Sequence, residues 1–244
     1  MVDSPDNWPT PQNILVILAH PDDPEFFCGA TLSRWARAGH SIDYTLLTCG
    51  DKGSDDPLTD SAQLCARRHR EQIAAAQVIG ARKVEFLDLL DGYLEPTIPL
   101  RREITRIIRK LRPDVLVTCD PQNLYPSASY GINHPDHRYA GQLVLDAVFP
   151  AAGNPLYFPE LLKDEGLEPY APREVWVSIP APFNVNVVLD VTDCWENKIA
   201  AIMEHKSQVV DPKKLEERLR SRHTEDSTLE APRYEERFHL VRLW

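Results

Sequence analysis

The sequence predicts an α/β fold: one Rossmann-like, three-layer α/β/α domain with a mainly parallel sheet. Through the first half of the chain and beyond it, short apolar runs rich in β-branched residues alternate with segments of helical periodicity. Such runs are typical of buried parallel strands, and their alternation with helices indicates β-α-β units with right-handed crossovers. The chain has 244 residues, a length that suits a single well-buried domain.

The first predicted strand contains a short, all-apolar run rich in β-branched residues, and five further segments are strand-like. The strand segments are 13–19, 41–48, 83–87, 115–117, 174–179 and 185–189. The predicted helices lie between and after them, at 26–38, 61–79, 100–111, 192–205 and 213–222. Gly39 and Gly80 favour helix C-caps, Pro113 stops the third helix, and Thr192 is expected to cap the fourth.

The remaining segments are polar or irregular. Residues 120–133 form a long polar loop, and a loop of that length in a compact domain is more often functional than accidental. Residues 151–172 are rich in proline, glycine and tyrosine and are expected to be irregular, while 237–244 are expected to add an edge strand. Residues 1–12 are polar and proline-rich, so we expect an N-terminal extension followed by one domain over 13–244.

Composition argues against several classes of function. The formal net charge of −10 disfavours a broad nucleic-acid surface, which needs clustered cations. The N-terminus lacks the pattern of a signal peptide, and no apolar run approaches the roughly 20 residues that span a bilayer. Five scattered cysteines without a C-x-x-C pair indicate reduced thiols. We therefore expect a cytoplasmic protein without a transmembrane segment.

Two clusters of polar side chains follow predicted strands. In the first, His20, Asp22 and Asp23 come directly after residues 13–19, at a turn that two prolines stiffen. In open α/β sheets, ligands bind just beyond the carboxyl ends of the strands. Taken alone, Asp22 or Asp23 could do no more than cap the following helix, by accepting hydrogen bonds from its first amides.

The second cluster, His134, Asp136 and His137, lies behind the fourth predicted strand and weakens the capping interpretation. Catalytic zinc sites use three protein ligands from His, Asp or Glu and keep one position open for water. Two such clusters at one rim of the sheet therefore predict a metal site. No glycine-rich phosphate loop follows any predicted strand, which disfavours a nucleotide-binding module.

These motifs resemble a known family. Ala19-His20-Pro21-Asp22-Asp23-x-Glu25 and His134-Pro135-Asp136-His137 are similar to the paired motifs of the PIG-L/LmbE-like family of zinc-dependent de-N-acetylases. Further similarity covers Thr48-x-Gly50-x-x-Gly53, Arg68-x-x-Glu71, Asp91-Gly92, Pro159-Glu160-Leu161-Leu162 and His205-x-Ser207-Gln208. The resemblance therefore extends over most of the chain and implies an amide-hydrolysing enzyme.

The resemblance also implies a role for each residue of the two clusters. One zinc ion per chain would be bound by His20, Asp23 and His137. Asp22 would be the general base, and His134 would stabilise the oxyanion that forms when a metal-bound water attacks the amide carbonyl. We expect Asp136 to orient His134 and raise its pKa, and either Asp22 or His134 to protonate the leaving amine.

The expected reaction is removal of the N-acetyl group from an N-acetylglucosamine-type sugar or conjugate. Two alternatives stay open at this stage. One is an amidase that cleaves a larger acyl group from a glucosamine conjugate, and the other is a non-catalytic sugar- or nucleotide-binding module. The expected partner is a small-molecule amino sugar, not a nucleic acid, and a homo-oligomer is favoured.

Four further residues are candidates outside the two clusters. Arg68 is expected either to contact the substrate or to pair with Glu71 on the helix surface. His205 is expected to be a substrate or pocket residue, from this subunit or a neighbouring one, or else to interact with a helix dipole. Asp51 and Asp91 are expected to order their glycine-containing loops.

Overall fold

Seven strands form one sheet in the order β3-β2-β1-β4-β5-β7-β6. The computed structural model describes residues 4–126 and 131–243 of the chain. Its strands are β1 (Asn13–Leu18), β2 (Ser41–Thr48), β3 (Lys83–Leu89), β4 (Val115–Cys119), β5 (Glu174–Ser178), β6 (Val187–Asp190) and β7 (Glu235–Arg242). Strands β1 to β5 are parallel, and β7 is antiparallel to both β5 and β6. The predicted α/β fold with a mainly parallel sheet is confirmed.

Helices cover both faces of this sheet. They are α1 (Asp23–Arg37), α2 (Ser61–Ile79), α3 (Ile98–Leu111), α4 (Pro135–Asp146), α5 (Pro159–Lys163), α6 (Trp195–Ile202) and α7 (Pro212–Arg220). Successive residues of β1 point to opposite faces, so Val16 belongs to one core and Ile17 to the other. Helices α1, α2 and α6 pack over the first face, and α3 and α4 pack over the second. No helix among the described residues is long and apolar enough to cross a membrane.

The C-terminal part of the chain differs from the prediction. The strand expected at the edge, β7, lies inside the sheet because β6 pairs along its other side. Thr192 does not cap α6: it belongs to a 3-10 turn, Thr192–Cys194, and its hydroxyl donates to Asp190 Oδ1 at 2.6 Å. The segment expected to be irregular contains α5. Trp244 and residues 127–130 of the predicted polar loop lie outside the described residues.

The cysteines also differ from the prediction. Cys49 and Cys65 form a disulfide, with their Cα atoms 5.1 Å apart, so the expectation of five reduced thiols is wrong for this pair. Sequence spacing could not reveal the pair, because Cys49 follows β2 and Cys65 lies on α2, and only the fold brings them together. Cys28, Cys119 and Cys194 are free and buried, as expected of small core residues.

A glycine sets how closely α4 approaches the sheet. A Cβ atom at Gly141 would lie 2.3 Å from the carbonyl oxygen of Cys119, at the end of β4. Any side chain there would push the helix away from the strand. Because α4 carries His137 in its first turn, Gly141 helps to hold this imidazole over the carboxyl end of the sheet.

The segment before β1 lies against the core. The Trp8 ring makes edge contacts with Trp35 and Trp176, at centroid distances of 5.2 and 6.0 Å. Asp6 is buried, and its carboxylate accepts a hydrogen bond from Trp35 Nε1 at 3.0 Å. The polar segment predicted as an N-terminal extension is therefore anchored by one aromatic ring and one buried carboxylate.

Helix α1 is interrupted at Cys28, whose backbone is not helical (φ −147°, ψ 22°). The break leaves two backbone amides of α1 in need of hydrogen-bond acceptors. The Glu236 carboxylate, on β7, accepts from both, from Ala30 N at 3.2 Å and from Thr31 N at 2.7 Å. The ammonium group of Lys198, on α6, lies 2.6 Å from the Glu236 carboxylate, and both side chains are buried. Lys198 Nζ also donates to the carbonyl of Phe26, before the break, at 2.9 Å, so the buried ion pair links the two halves of α1.

Candidate metal centre

A cavity of about 650 Å³ opens at the carboxyl ends of the parallel strands. The turn after β1, the loops after β2 and β3, and the first turn of α4 surround it, as expected for an open α/β sheet. The polar side chains that matter for its chemistry are His20, Asp22, Asp23, Asp91, His134 and His137. The structure therefore brings both sequence-predicted clusters to one site.

The turn after β1 points two adjacent carboxylates in different directions. Asp22 has a left-handed backbone (φ 93°), which is unusual for a residue other than glycine and is found mostly at functional sites. Its amide donates to Gln72 Oε1 at 2.8 Å, so α2 holds the strained residue in place. The next carboxylate, Asp23, accepts a hydrogen bond from the backbone amide of His20 at 2.8 Å.

Three side chains converge on one point in the cavity. His20 Nδ1 lies 3.2 Å from His137 Nε2, and His137 Nε2 lies 3.1 Å from Asp23 Oδ1. The other oxygen of Asp23 is 3.4 Å from His20 Nδ1. In a tetrahedral zinc site with bonds of about 2.0–2.1 Å, the ligand atoms lie about 3.3–3.4 Å apart. The donor set therefore fits a zinc ion in both atom type and spacing.

Outer contacts orient the two imidazoles. His137 Nδ1 is 2.9 Å from Asn133 Oδ1, an acceptor, so Nδ1 carries the proton and Nε2 is left with a free lone pair. His20 Nε2 is 3.1 Å from Asp91 Oδ1 and 3.3 Å from Asp136 Oδ2, which leaves Nδ1 for the convergence point. Burial alone raises the pKa of Asp23, but the charges of His137 and His20 hold it well below its usual value.

Asp22 lies beside this set and faces Arg68. Arg68 Nη2 is 3.2 Å from Asp22 Oδ2 and also donates to the carbonyl of Pro21 at 2.6 Å. Burial raises the pKa of Asp22 to about 6, against the lowering effect of the Arg68 charge. The surface pair of Arg68 with Glu71, one of the two expected alternatives, is not among the described contacts. Glu71 pairs instead with Arg67, at 3.0 Å. Arg68 is buried, and it lines the cavity beside Asp22.

His134 and Asp136 are not related as predicted. The Asp136 carboxylate accepts hydrogen bonds from the amides of Gly92 at 2.7 Å and Leu94 at 3.2 Å, and it faces His20. His134 is instead held through its own Nδ1, which accepts from the Asp136 amide at 3.2 Å, so the neutral ring carries its proton on Nε2. Burial lowers the pKa of His134, and His20 lowers it further. Asp136 raises this pKa, as expected, but the lowering effects are larger, so the net shift is downward.

His205 lies behind the turn. It is fully buried, and its Nε2 is 3.0 Å from Glu25 Oε2. Glu25 also accepts from Gln72 Nε2 at 3.1 Å, so a buried chain of contacts runs from His205 through Glu25 and Gln72 to the amide of Asp22. His205 is not among the side chains that line the cavity, and the contact that the structure describes for its imidazole is with Glu25.

Three further residues support the site: Asn133 and Gln72, for which the sequence predicts no role, and Asp91, for which it predicts only the ordering of a loop. Asp91 comes two residues after β3, so the rule that selected His20 also applied to it. Asp51 does order a loop as expected, since its Oδ1 accepts from the amide of Asp91 at 3.1 Å. No local signal marks Asn133 or Gln72.

Known proteins resemble this chain in sequence and in structure. The family profile described as "PIG-L: GlcNAc-PI de-N-acetylase" matches residues 15–148. Diacetylchitobiose deacetylase of Thermococcus kodakarensis is 32% identical over 197 residues, which cover 81% of this chain and 70% of that protein. A 1D-myo-inositol 2-acetamido-2-deoxy-alpha-D-glucopyranoside deacetylase of Saccharopolyspora erythraea is 27% identical over 243 residues, covering 80% of this chain and 83% of its own.

Among solved structures, N,N'-diacetylchitobiose deacetylase from Pyrococcus horikoshii, complexed with its inhibitor MPG, has a TM-score of 0.82. It is 30% identical, and the alignment covers 95% of this chain and 84% of that one. The fold, the site and these likenesses define a de-N-acetylase, a hydrolase of amide bonds. The chain belongs to the PIG-L family.

Proposed function

We propose that this chain is a zinc-dependent hydrolase that removes the N-acetyl group from an N-acetylglucosamine-type sugar or conjugate. The observation that carries the proposal is the three-donor set in the cavity, with the Asp22 carboxylate beside it. The relatives named above act on diacetylchitobiose or on an inositol-linked 2-acetamido-2-deoxyglucose. Both names describe an acetamido group on a glucose ring, which supports this substrate class here.

The zinc ion would be held by His20 Nδ1, His137 Nε2 and a carboxylate oxygen of Asp23. Two imidazole nitrogens and one carboxylate are typical of catalytic zinc sites, which keep a further position open. When bound, zinc lowers the pKa of a water molecule from about 15.7 to about 7 and polarises the substrate carbonyl. Asp91, Asp136 and Asn133 would keep the two rings oriented toward the ion.

Asp22 would move the proton. Its carboxylate faces the cavity, and its pKa of about 6 suits a group that must accept and return a proton near neutral pH. As a base it takes the proton of the attacking water. As an acid it returns that proton to the nitrogen of the leaving amine, so acetate and a free amino sugar are produced and the carboxylate is restored. Arg68 favours the charged form of Asp22 between turnovers.

His134 would stabilise the oxyanion. Its Nδ1 accepts the Asp136 amide, so the proton on Nε2 is available to a substrate oxygen. The lowered pKa keeps the ring neutral, and a neutral donor of fixed orientation is suited to stabilise charge that develops on the carbonyl oxygen. His134 thus donates a hydrogen bond, while Asp22 carries the proton transfer.

Acetate release from a panel of sugars tests the proposal. The panel contains N-acetylglucosamine, diacetylchitobiose, an inositol-linked N-acetylglucosamine and the same conjugates with longer acyl groups. We expect acetate release from one or more acetylated members, about one zinc per purified chain, loss of activity on chelation and its return with zinc. Activity that survives complete metal removal would contradict the mechanism. Hydrolysis of only the longer acyl groups would instead favour the amidase alternative.

A further inference from the structure

A second group of side chains that could hold a metal ion lies outside the catalytic cavity. It consists of Cys49, Cys65, His69 and Asp88, which we call the cysteine cluster. Cys49 directly follows β2, Cys65 and His69 lie one turn apart on α2, and Asp88 is in β3. Their donor atoms all lie within 4.8 Å of one another. None of the four lines the cavity that holds His20 and His137, so the cluster is a separate site.

The cluster is held in place by its surroundings. The His69 ring stacks on Phe86 with centroids 3.8 Å apart, and its Nε2 lies 2.8 Å from Asp88 Oδ1 and 3.7 Å from Cys65 Sγ. Asp88 has a left-handed backbone (φ 52°), at the point where the pairing of β2 with β3 shifts register. This shift directs the Asp88 carboxylate to His69. Both side chains are partly exposed, so an ion can reach them from solvent.

The donor atoms match a closed zinc site. Two thiolates, one imidazole and one carboxylate are all zinc ligands, and structural zinc sites have four protein ligands in a tetrahedron. Thiolates select zinc or other soft divalent ions over magnesium and calcium. The catalytic set has no sulfur and three donors, so the two sites differ in chemistry as well as in position.

The two sulfur atoms can bind a metal ion only when the disulfide between them is reduced. In the oxidised form, the bond between Cys49 and Cys65 occupies both sulfur atoms. A dithiol reductant supplies two electrons: the protein S–S bond breaks, the reductant forms its own disulfide, and two protein thiols result. Each thiol then loses one proton as a metal ion binds.

We propose that the reduced chain binds a second zinc-like divalent ion at Cys49, Cys65, His69 and Asp88. The site would tie the loop after β2 to α2 and β3. Cys49 is followed by Gly50, whose carbonyl oxygen accepts a hydrogen bond from Arg68 Nη1 at 3.0 Å. The ion would therefore replace the disulfide as the link that holds this loop against the helix carrying Arg68.

Cobalt binding tests the proposal, because Co²⁺ bound by thiolate has an intense near-ultraviolet charge-transfer absorption that histidine and carboxylate ligands do not produce. The metal-free chain is reduced with a dithiol, the gain of two titratable thiols is checked, the reductant is removed under anaerobic conditions, and Co²⁺ is titrated. We expect one more equivalent of Co²⁺ in the reduced than in the oxidised chain, and the absorption only in the reduced chain.

Variants assign the signal to its ligands. The double variant Cys49→Ser/Cys65→Ser removes the absorption and the extra equivalent, whereas Cys194→Ser, which changes a buried cysteine elsewhere, retains both. His137→Ala loses the catalytic equivalent and keeps the absorption, so failure of this proposal and failure of the proposed zinc hydrolase are distinguishable. The proposal is overturned if the pair resists reduction, if the reduced wild-type chain gains no sulfur-bound cobalt, or if the absorption persists in the double variant. The oxidised wild-type chain serves as a control that needs no mutation.

Discussion

At the scale of single residues, the backbone of Asp22 separates two neighbouring carboxylates. Its left-handed conformation turns Asp22 toward Arg68, while Asp23 faces the two imidazoles. Adjacent side chains of the same type thereby have opposite pKa shifts: Asp22 is raised to about 6 and Asp23 is lowered. One is suited to carry a proton and the other to remain charged beside a cation.

Asp22→Asn should separate metal binding from turnover. The amide keeps the size of the side chain but cannot accept a proton from water. We expect the variant to keep its zinc and to lose turnover by about 10²–10⁴-fold, the range typical of removing a general base. Zinc is measured on the purified protein and turnover by acetate release. His137→Ala is the matched comparison, which should lose zinc; loss of zinc in Asp22→Asn as well would mean that the two roles are wrongly divided.

Gln72→Met should lower turnover without a change in metal content. The variant fills a similar volume but cannot accept the Asp22 amide, so the strained turn loses its support. Because a displacement of about 1 Å can cost about 10²-fold in rate, we expect kcat to fall by about 10- to 100-fold while KM changes less. Gln77→Met makes the same change at an exposed position of α2 and should leave kcat as it was. Equal losses of kcat in the two variants would mean that the substitution acts through α2 as a whole, and not through the hydrogen bond to the Asp22 amide.

Sequence could predict which residues gather at the site but not how they contact one another. The positions of these residues after predicted strands indicate a common site, and the structure brings five of them to one cavity: His20, Asp22, Asp23, His134 and His137. The spacing of His134 and Asp136 suggests a pair, yet the first turn of α4 directs them apart. The partner of each imidazole depends on segments that are distant in the sequence. A local sequence pattern does not identify such a partner.

At the scale of elements, the parallel half of the sheet was the easier part to predict. The bounds of β2 and α2 match the prediction at both ends, and the Gly80 C-cap marks the end of α2 clearly. The antiparallel addition was harder, since β7 has the mixed pattern of an edge strand but is covered by the short β6. Its inner position allows Glu236 to cap the broken helix α1, a contact between residues far apart in the chain.

Lys198→Met tests that link between α6, β7 and α1. The change leaves Glu236 buried without its cation, and breaking a buried pair in this way costs about 3–5 kcal/mol. We therefore expect denaturant unfolding to report a loss of stability of about that size. Lys213→Met removes an equal charge at an exposed position of α7 and should change stability by less than about 0.5 kcal/mol. A small effect at position 198 would mean that water or another cation compensates Glu236.

Across the fold as a whole, His205 makes the free energy of unfolding depend on pH. Burial lowers the pKa of this imidazole, but the hydrogen bond and charge of Glu25 outweigh that and raise it above 6.5; Asp22 raises it further and Arg68 lowers it. A group whose pKa is higher in the folded state stabilises the fold in its protonated form. Its contribution is therefore complete below the unfolded-state pKa of about 6.5 and is lost as the pH rises through the folded-state value.

His205→Gln should remove this pH dependence. The free energy of unfolding of the wild-type and variant chains is measured by urea denaturation from about pH 6 to about pH 9, with zinc saturating at every point. We expect the wild-type advantage over the variant to be largest at the acid end and to shrink as the pH rises. An advantage that grows with pH would show that the buried imidazole is neutral in the folded chain.

The two histidines of the proposed zinc site, His20 and His137, are 117 residues apart along the chain. In the unfolded chain, a loop of that length would have to close before both imidazoles could bind one ion, which has an entropy cost. In the folded chain, the docking of α4 on the sheet has already brought the two rings together. The proposed ion would therefore bind to a preformed rim whose dimensions are set by the fold.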